Sequence, residues 1–326
     1  MGRTFPFTKE LHDFGNGCYG YLQPDGGWGL SNAGLVVDQG ETLLIDTLMD
    51  LPLTREMLDT MKKAVPEAET IGTLLNTHSN PDHTFGNQLV EGAVIISSDA
   101  CLAEMEEMAE RPEDPRGHIR FNWQNYGDAG RFFNEVMWTK FSPDGFVQTL
   151  PTLSFDGEYT IHVGSKEVRF IEVGPAHTKG DVIAYLPEDK TVFAGDILFI
   201  DGHPIIWAGP LQNWVDACDL MLGWDVETVV PGHGPITDKQ GIADLKEYFL
   251  FVEREARARY DAGMNYEDAA RDIDLGPYKD WIDRERIVLN VFACYREFAE
   301  ETEPFDRYEV IGAAGRYYFD DKARAI

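Results

Sequence analysis

The chain has 326 residues, 43% hydrophobic and 26% charged, which fits one large α/β domain with an appendage. No apolar run approaches the roughly 18 residues of a membrane helix, so no membrane-spanning helix is expected. The formal net charge of −29 argues against nucleic-acid partners, which call for a basic footprint, and disfavours polyanionic substrates.

Taken in chain order, the start, Met1-Gly2-Arg3-Thr4-Phe5-Pro6, lacks the apolar core of a secretory signal, and Gly2 is poor evidence for lipidation. Cys18, Cys101, Cys218 and Cys294 show no metal or redox spacing, so free buried thiols and a cytoplasmic location are expected. Asp25-Gly26-Gly27-Trp28-Gly29 reads as a glycine-rich hairpin loop whose Trp28 could wall a pocket. Thr42, Leu43, Leu44 and Ile45 form an apolar strand ending in an acid, Asp46. A second apolar run over 71–76 leads into Thr77-His78-Ser79-Asn80-Pro81-Asp82-His83, which packs four potential metal ligands into six residues. Ser79, Asn80 and Pro81 can turn the chain, and Asp82 or Thr84 could cap a following helix.

Region 111–151 is rich in aromatics: Phe121, Trp123, Tyr126, Phe132, Phe133, Trp138, Phe141 and Phe146. It reads either as a helical insert packed on the core or as an aromatic lid over an apolar pocket. Three later strands end in ligand-type residues. The run 168–173 enters Gly174-Pro175-Ala176-His177 and continues to Asp181; 191–194 enters Gly195-Asp196; and 228–230 enters Pro231-Gly232-His233. Glycines beside these residues allow sharp turns and close backbone approach. Asp46 and Asp181 could equally cap a helix or close a turn. His12, His118 and His162 read as ordinary histidines, whereas His203, on a loop expected to border the site, is open. Beyond residue 240, helices are predicted over 245–262, 266–272 and 284–299, with 308–312 as a terminal strand or arm. This tail could pack on the sandwich, close the pocket or make a homodimer.

The order of these motifs resembles the metallo-β-lactamase-fold hydrolase superfamily over roughly residues 15 to 240. The resemblance implies an α/β fold, an αββα sandwich spanning 1–240, with 241–326 as a helical C-terminal extension packed on the same domain. It also implies a metal site at one sheet edge. One metal would be held by His78, Asn80 and His177, and a second by Asp82, His83 and His233. Asp196 would bridge them, with Asp46 orienting a histidine or the loop. Asn80 departs from the common pattern, in which that position is histidine. An amide is a poorer zinc ligand than imidazole, so one tightly bound Zn²⁺ at Asp82, His83, Asp196 and His233 is expected, with a second weak or absent. Iron or manganese could substitute. His-x-Asn-x-Asp-His also looks typical of one branch of the superfamily, with a weaker likeness to a hydrolytic dehalogenase of chlorinated aromatics.

Bound zinc brings the pKa of a coordinated water to roughly 7, which gives a nucleophile at neutral pH. Asp82 or Asp196 could orient that water. His78 and His177, if left without metal, could move protons or contact an oxyanion, and Asn80 could donate to substrate. The expected activity is hydrolysis of a small, apolar ester, lactone, thioester, amide or aryl halide. The alternatives are a catalytically silent metal-binding or regulatory protein of the same fold, and a di-iron redox enzyme.

Overall fold

A computed structural model describes residues 5–110 and 122–324. His118, Phe121 and the rest of 111–121 lie outside the described residues. Among the described residues, strands β1 (Leu11–Gly15), β2 (Cys18–Tyr21), β3 (Ala33–Asp38), β4 (Glu41–Ile45), β5 (Thr73–Leu75), β6 (Val94–Ser98) and β7 (Leu153–Phe155) line up in sequence order in one sheet. β1 to β4 run antiparallel, and β4 to β7 run parallel. The second sheet has the order β12 (Thr228–Val230), β11 (Thr191–Phe193), β10 (Val182–Leu186), β9 (Lys166–Glu172), β8 (Glu158–Val163), with only β11 and β12 parallel.

Period-two alternation explains why each sheet is covered on both faces. On β4, Leu43 and Ile45 face the second sheet, while Leu44 faces outward to Met57, Leu58 and Met61 of helix α1 (Leu51–Ala64). On β10, Val182, Ala184 and Leu186 meet the first sheet, and Ile183 and Tyr185 join an outer cluster. That cluster holds Trp214, Cys218 and Met221 of a helix over Leu211–Gly223 and Leu245, Phe249 and Val252 of one over Lys239–Asp261. The result is an αββα sandwich with a helical C-terminal region. Gly34 marks the close approach of the sheets, since a Cβ there would fall on the Phe193 ring. All four cysteines are buried and free.

The remaining helices, in chain order with those above, are α2 (Pro81–Thr84), α3 (Asp99–Glu110), α4 (Gly127–Phe133), α5 (Leu211–Gly223), α6 (Lys239–Asp261), α7 (Tyr266–Asp272), α8 (Arg286–Phe298) and α9 (Arg307–Arg324). Three expectations need correction. Residues 308–312 lie in α9, not in a strand or arm: Val310, Ile311 and Ala314 recur at helical spacing on its buried face. The long helix starts at Lys239, because Asp238 caps it by accepting from Gln240 N at 2.8 Å. Asp82 and Thr84 do not cap α2. They lie inside it, and Thr84 Oγ1 donates back to Asn80 O. Trp28 is buried against Phe132 and Phe133, and its Nε1 donates to Glu285 at 2.7 Å.

Of the two readings of the aromatic region, packing accounts for most of its described residues. Ala129, Phe132 and Val136 belong to the outer core cluster. Phe132 meets Tyr318 of α9, Phe141 packs on Gly29, and Phe146 lies 4.2 Å from Phe85.

Candidate metal centre

The sheets deliver the polar residues to one place because their parallel strands end at the same edge. Asp46 follows β4, His78 and the short α2 follow β5, Asp196 follows β11 and His233 follows β12. His177 sits in the loop between β9 and β10. Gly232 is needed there, since a Cβ would collide with Asp196 Oδ1.

Two triads result, His78–His177–Asp196 and Asp82–His83–His233, all buried, with the ligand atoms of each within 4.8 Å of one another. Asp196 lies between them. Its Oδ1 is 3.1 Å from His83 Nε2, and its Oδ2 is 3.3 Å from His177 Nε2, 3.5 Å from His233 Nε2 and 3.8 Å from His78 Nε2. Asp82 Oδ2 is 3.3 Å from His233 Nε2 and 3.9 Å from His83 Nε2.

Every histidine turns Nε2 inward because its Nδ1 is occupied elsewhere. His83 Nδ1 donates to Asp46 Oδ2 at 2.8 Å, His177 Nδ1 to Ile205 O at 2.9 Å and His233 Nδ1 to Gly26 O at 3.0 Å. His78 Nδ1 is 3.0 Å from Thr77 Oγ1, which itself donates to Asp46 Oδ2 at 2.7 Å. Asp46 also accepts from Thr77 N at 2.7 Å, so one carboxylate orients both His83 and the residue beside His78. This is the outer support that metal-binding imidazoles require. The fit to a metal is tested by what is left over. Among the described residues, His78 Nε2, His83 Nε2 and Asp196 Oδ1 are buried without a hydrogen-bond partner, a cost that a cation among them would relieve.

Electrostatics follow from the same crowding. Burial raises Asp82, but His83 and His233 outweigh it and hold the carboxyl at about 2. Burial likewise opposes Asp196, yet the four histidines take it well below the carboxylate range. For His83, burial is overcome by Asp196, Asp46 and Asp82, which raise it well above the ordinary value; His233 reaches about 9 in the same way. His78 and His177 are lowered, chiefly by burial.

Asn80 reaches the first triad, with Nδ2 2.7 Å from His177 Nε2. Asp181 closes the His177 loop by accepting from Thr178 N and Oγ1 and from Ala176 N, and burial pushes it up to about 7 despite those bonds. His203 is not at the centre. It is buried between Tyr248 OH, at 2.8 Å, and Tyr278 O, at 3.1 Å. His12 contacts Thr8 O, and His162 is exposed on β8. Thr77 lies inside the sequence motif but carries no ligand signal, and the carbonyls of Gly26 and Ile205 carry none at all.

A model of the metallo-beta-lactamase superfamily matches residues 26–233. The chain belongs to that superfamily. Its fold is similar to a metallo-beta-lactamase from Pontibacter korlensis, with 18% identity and a TM-score of 0.56 over 74% of this chain and 98% of that one. It is also similar to the stereoselective inverting sec-alkylsulfatase Pisa1 from Pseudomonas sp., with 15% identity and a TM-score of 0.67 over 91% of this chain and 52% of that one. The lactamase TMB-1 is 19% identical, with a TM-score of 0.53 over 74% of this chain and 96% of that one. No curated protein matches by sequence. The buried triads fit the dinuclear metal site of this superfamily. No helix among the described residues is long and apolar enough to cross a membrane.

Proposed function

We propose that the chain is a zinc-dependent hydrolase of a small, apolar substrate. The observation that carries the reading is the pair of buried triads sharing Asp196, with three inward polar atoms left without partners. Asp82, His83 and His233, with Asp196, would hold the tighter ion, and His78 and His177 the weaker one. Bound zinc would supply an acidified water and a Lewis acid for the substrate's oxygen.

The chain's own residues do the rest. Asp82, the most exposed member of the two triads, is placed to hold a water and take its proton. Asn80 opposes metal at His177. That imidazole already donates from Nδ1, so its Nε2 lone pair accepts the Asn80 amide and is lost to an ion. Turning the amide over would instead present its oxygen to the site. Asn80 thus weakens the first triad and leaves a neutral donor able to meet charge developing on a substrate.

Elemental analysis of protein purified without added metal tests the reading. About one zinc per chain, with turnover of an ester, lactone, thioester, amide or aryl halide, is expected. Alkyl sulfates belong in the panel because the fold likeness to the alkylsulfatase extends over 91% of this chain. Protein that takes up no zinc even when it is supplied would sink the proposal. Asn80→His is expected to raise occupancy toward two and alter turnover. A second metal with unchanged kinetics would remove any role for the amide.

A further inference from the structure

Two of the inward-facing histidines are aimed by backbone carbonyls, Gly26 O for His233 and Ile205 O for His177. The loops carrying them are both held by one stretch of the C-terminal region, residues 282–290, which lies outside the family-matched segment of 26–233.

The loop carrying Ile205 is gripped on each side of that carbonyl. Asn290 Nδ2 donates to Pro204 O, and Asn290 Oδ1 accepts from Ile206 N, both at 3.0 Å. Upstream, Ile282 N donates to Asp201 O at 3.0 Å and His203 N to Ile282 O at 3.1 Å. Arg286 Nη1 donates to His203 O at 2.9 Å.

The loop carrying Gly26 is gripped through Trp28. Its Nε1 donates to Glu285, and its ring lies 4.4 Å from the Arg286 guanidinium. The same guanidinium lies 5.4 Å from the Phe199 ring, and Phe199 stacks on His233 at 5.0 Å with the planes 1° apart. His233 therefore has two supports, a carbonyl at its edge and a ring on its face, and Arg286 contacts the loop behind each.

Arg286 is 1% exposed and pairs through Nη2 with Asp283 Oδ2 at 2.8 Å, while its Nε has no hydrogen-bond partner among the described residues. A buried ion pair with one donor unmet adds little net stability, which leaves its contacts with both loops as the feature to explain. Asn290 is fully buried, and among the described residues its side chain bonds Pro204 O, Ile206 N and Tyr248 OH. We infer that residues 282–290 are a positioning brace for the metal centre, in which Asn290 sets His177 and Arg286 sets His233. Neither touches the clustered ligand atoms. This inference rests on the metal-centre reading above.

The test uses the full chain and zinc alone as probe, with two readouts: stepwise zinc affinity against a chelator, and the histidine nitrogen–proton spectrum of metal-free protein. Asn290→Leu is expected to abolish the hydrogen-bonded Nδ1 proton of His177 and weaken zinc at the His78–His177–Asp196 triad about tenfold, leaving the other triad unchanged. Arg286→Lys keeps the charge but loses the planar fork. Because Arg286 also reaches the Ile205 loop through His203 O, this variant is expected to shift the His233 signals and to weaken the Asp82–His83–His233 triad more than the other. Met61→Ala, a core cavity in α1 within a separate cluster that includes no residue of the brace, controls for destabilisation and should move neither. If Asn290→Leu does not fold, Asn290→Ser replaces it. Variants that weaken both triads equally or neither, or a Met61→Ala effect of the same pattern, overturn the brace. Wild-type protein that takes up no zinc defeats the metal-centre reading instead. The imidazole signals then decide the brace alone, selective loss upholding it and uniform change overturning it.

Discussion

Asp46 offers the sharpest perturbation of the centre, because its effect is transmitted through a proton. Its carboxylate accepts from Thr77 N, Thr77 Oγ1 and His83 Nδ1 at 2.7, 2.7 and 2.8 Å. Asp46→Asn keeps the size of the side chain, and asparagine tolerates the left-handed backbone that Asp46 adopts, with φ of 63°. If the amide oxygen keeps Thr77 N, the amide nitrogen must face His83 Nδ1. His83 can then only accept there, so its proton moves to Nε2, the atom that faces Asp196. If the amide turns over, its nitrogen opposes Thr77 N–H instead. Either way one buried, charge-assisted hydrogen bond is lost, at about 1.5–3 kcal/mol.

Charged to the metal-competent tautomer of His83, about 2 kcal/mol amounts to roughly thirtyfold in zinc affinity at the Asp82–His83–His233 triad. Chelator competition on the folded variant, checked by circular dichroism, measures this directly. Wild-type affinity in a folded Asp46→Asn protein would refute the claim that Asp46 sets the tautomer.

Three further outcomes follow from other parts of the molecule. Gly232→Ala should cost zinc affinity and turnover together by tenfold or more, because its Cβ must displace Asp196 Oδ1; unchanged zinc uptake would count against Asp196 as the shared ligand. Gly34→Ala should lower stability by about 1–3 kcal/mol in a denaturant melt, since its methyl group overlaps Phe193 across the sandwich; a neutral effect would mean that the sheets separate easily there. Burial holds His203 at about 3, so between that value and the ordinary 6.5 the unfolded chain binds a proton that the folded one does not. Stability should therefore fall as pH drops below about 6.5, by up to about 1.4 kcal/mol per unit, and His203→Gln should flatten that slope in melts between pH 5 and 7.5.

What could be read from the sequence was whatever depends on strand ends and ligand spacing. A short apolar run followed by a residue with nitrogen or oxygen donors is local information, so Asp46, His78, Asp196 and His233 were placed correctly at the ends of β4, β5, β11 and β12. Boundaries moved by one or two residues where ladder hydrogen bonds, not side-chain pattern, end a strand. The 308–312 segment failed for a related reason. Tyr308, Val310 and Ile311 have strand propensity, but α4 offers a helical partner, with Phe132 seated against Gly315 and Tyr318.

The supports of the centre were illegible for a different reason. Ile205 O and Gly26 O act through backbone atoms that every residue possesses, so no side-chain signal marks them. The surroundings of Trp28 were equally illegible, because an aromatic residue looks the same in sequence whether it faces a ligand or another ring. What decides is Glu285 and Arg286, more than 250 positions from Trp28 in the chain and invisible to any local window. The ligands of this centre are therefore spelled out by motif, while the groups that aim them are supplied by folding. A substitution in 282–290 should consequently damage the centre while leaving every residue of the recognisable motif intact.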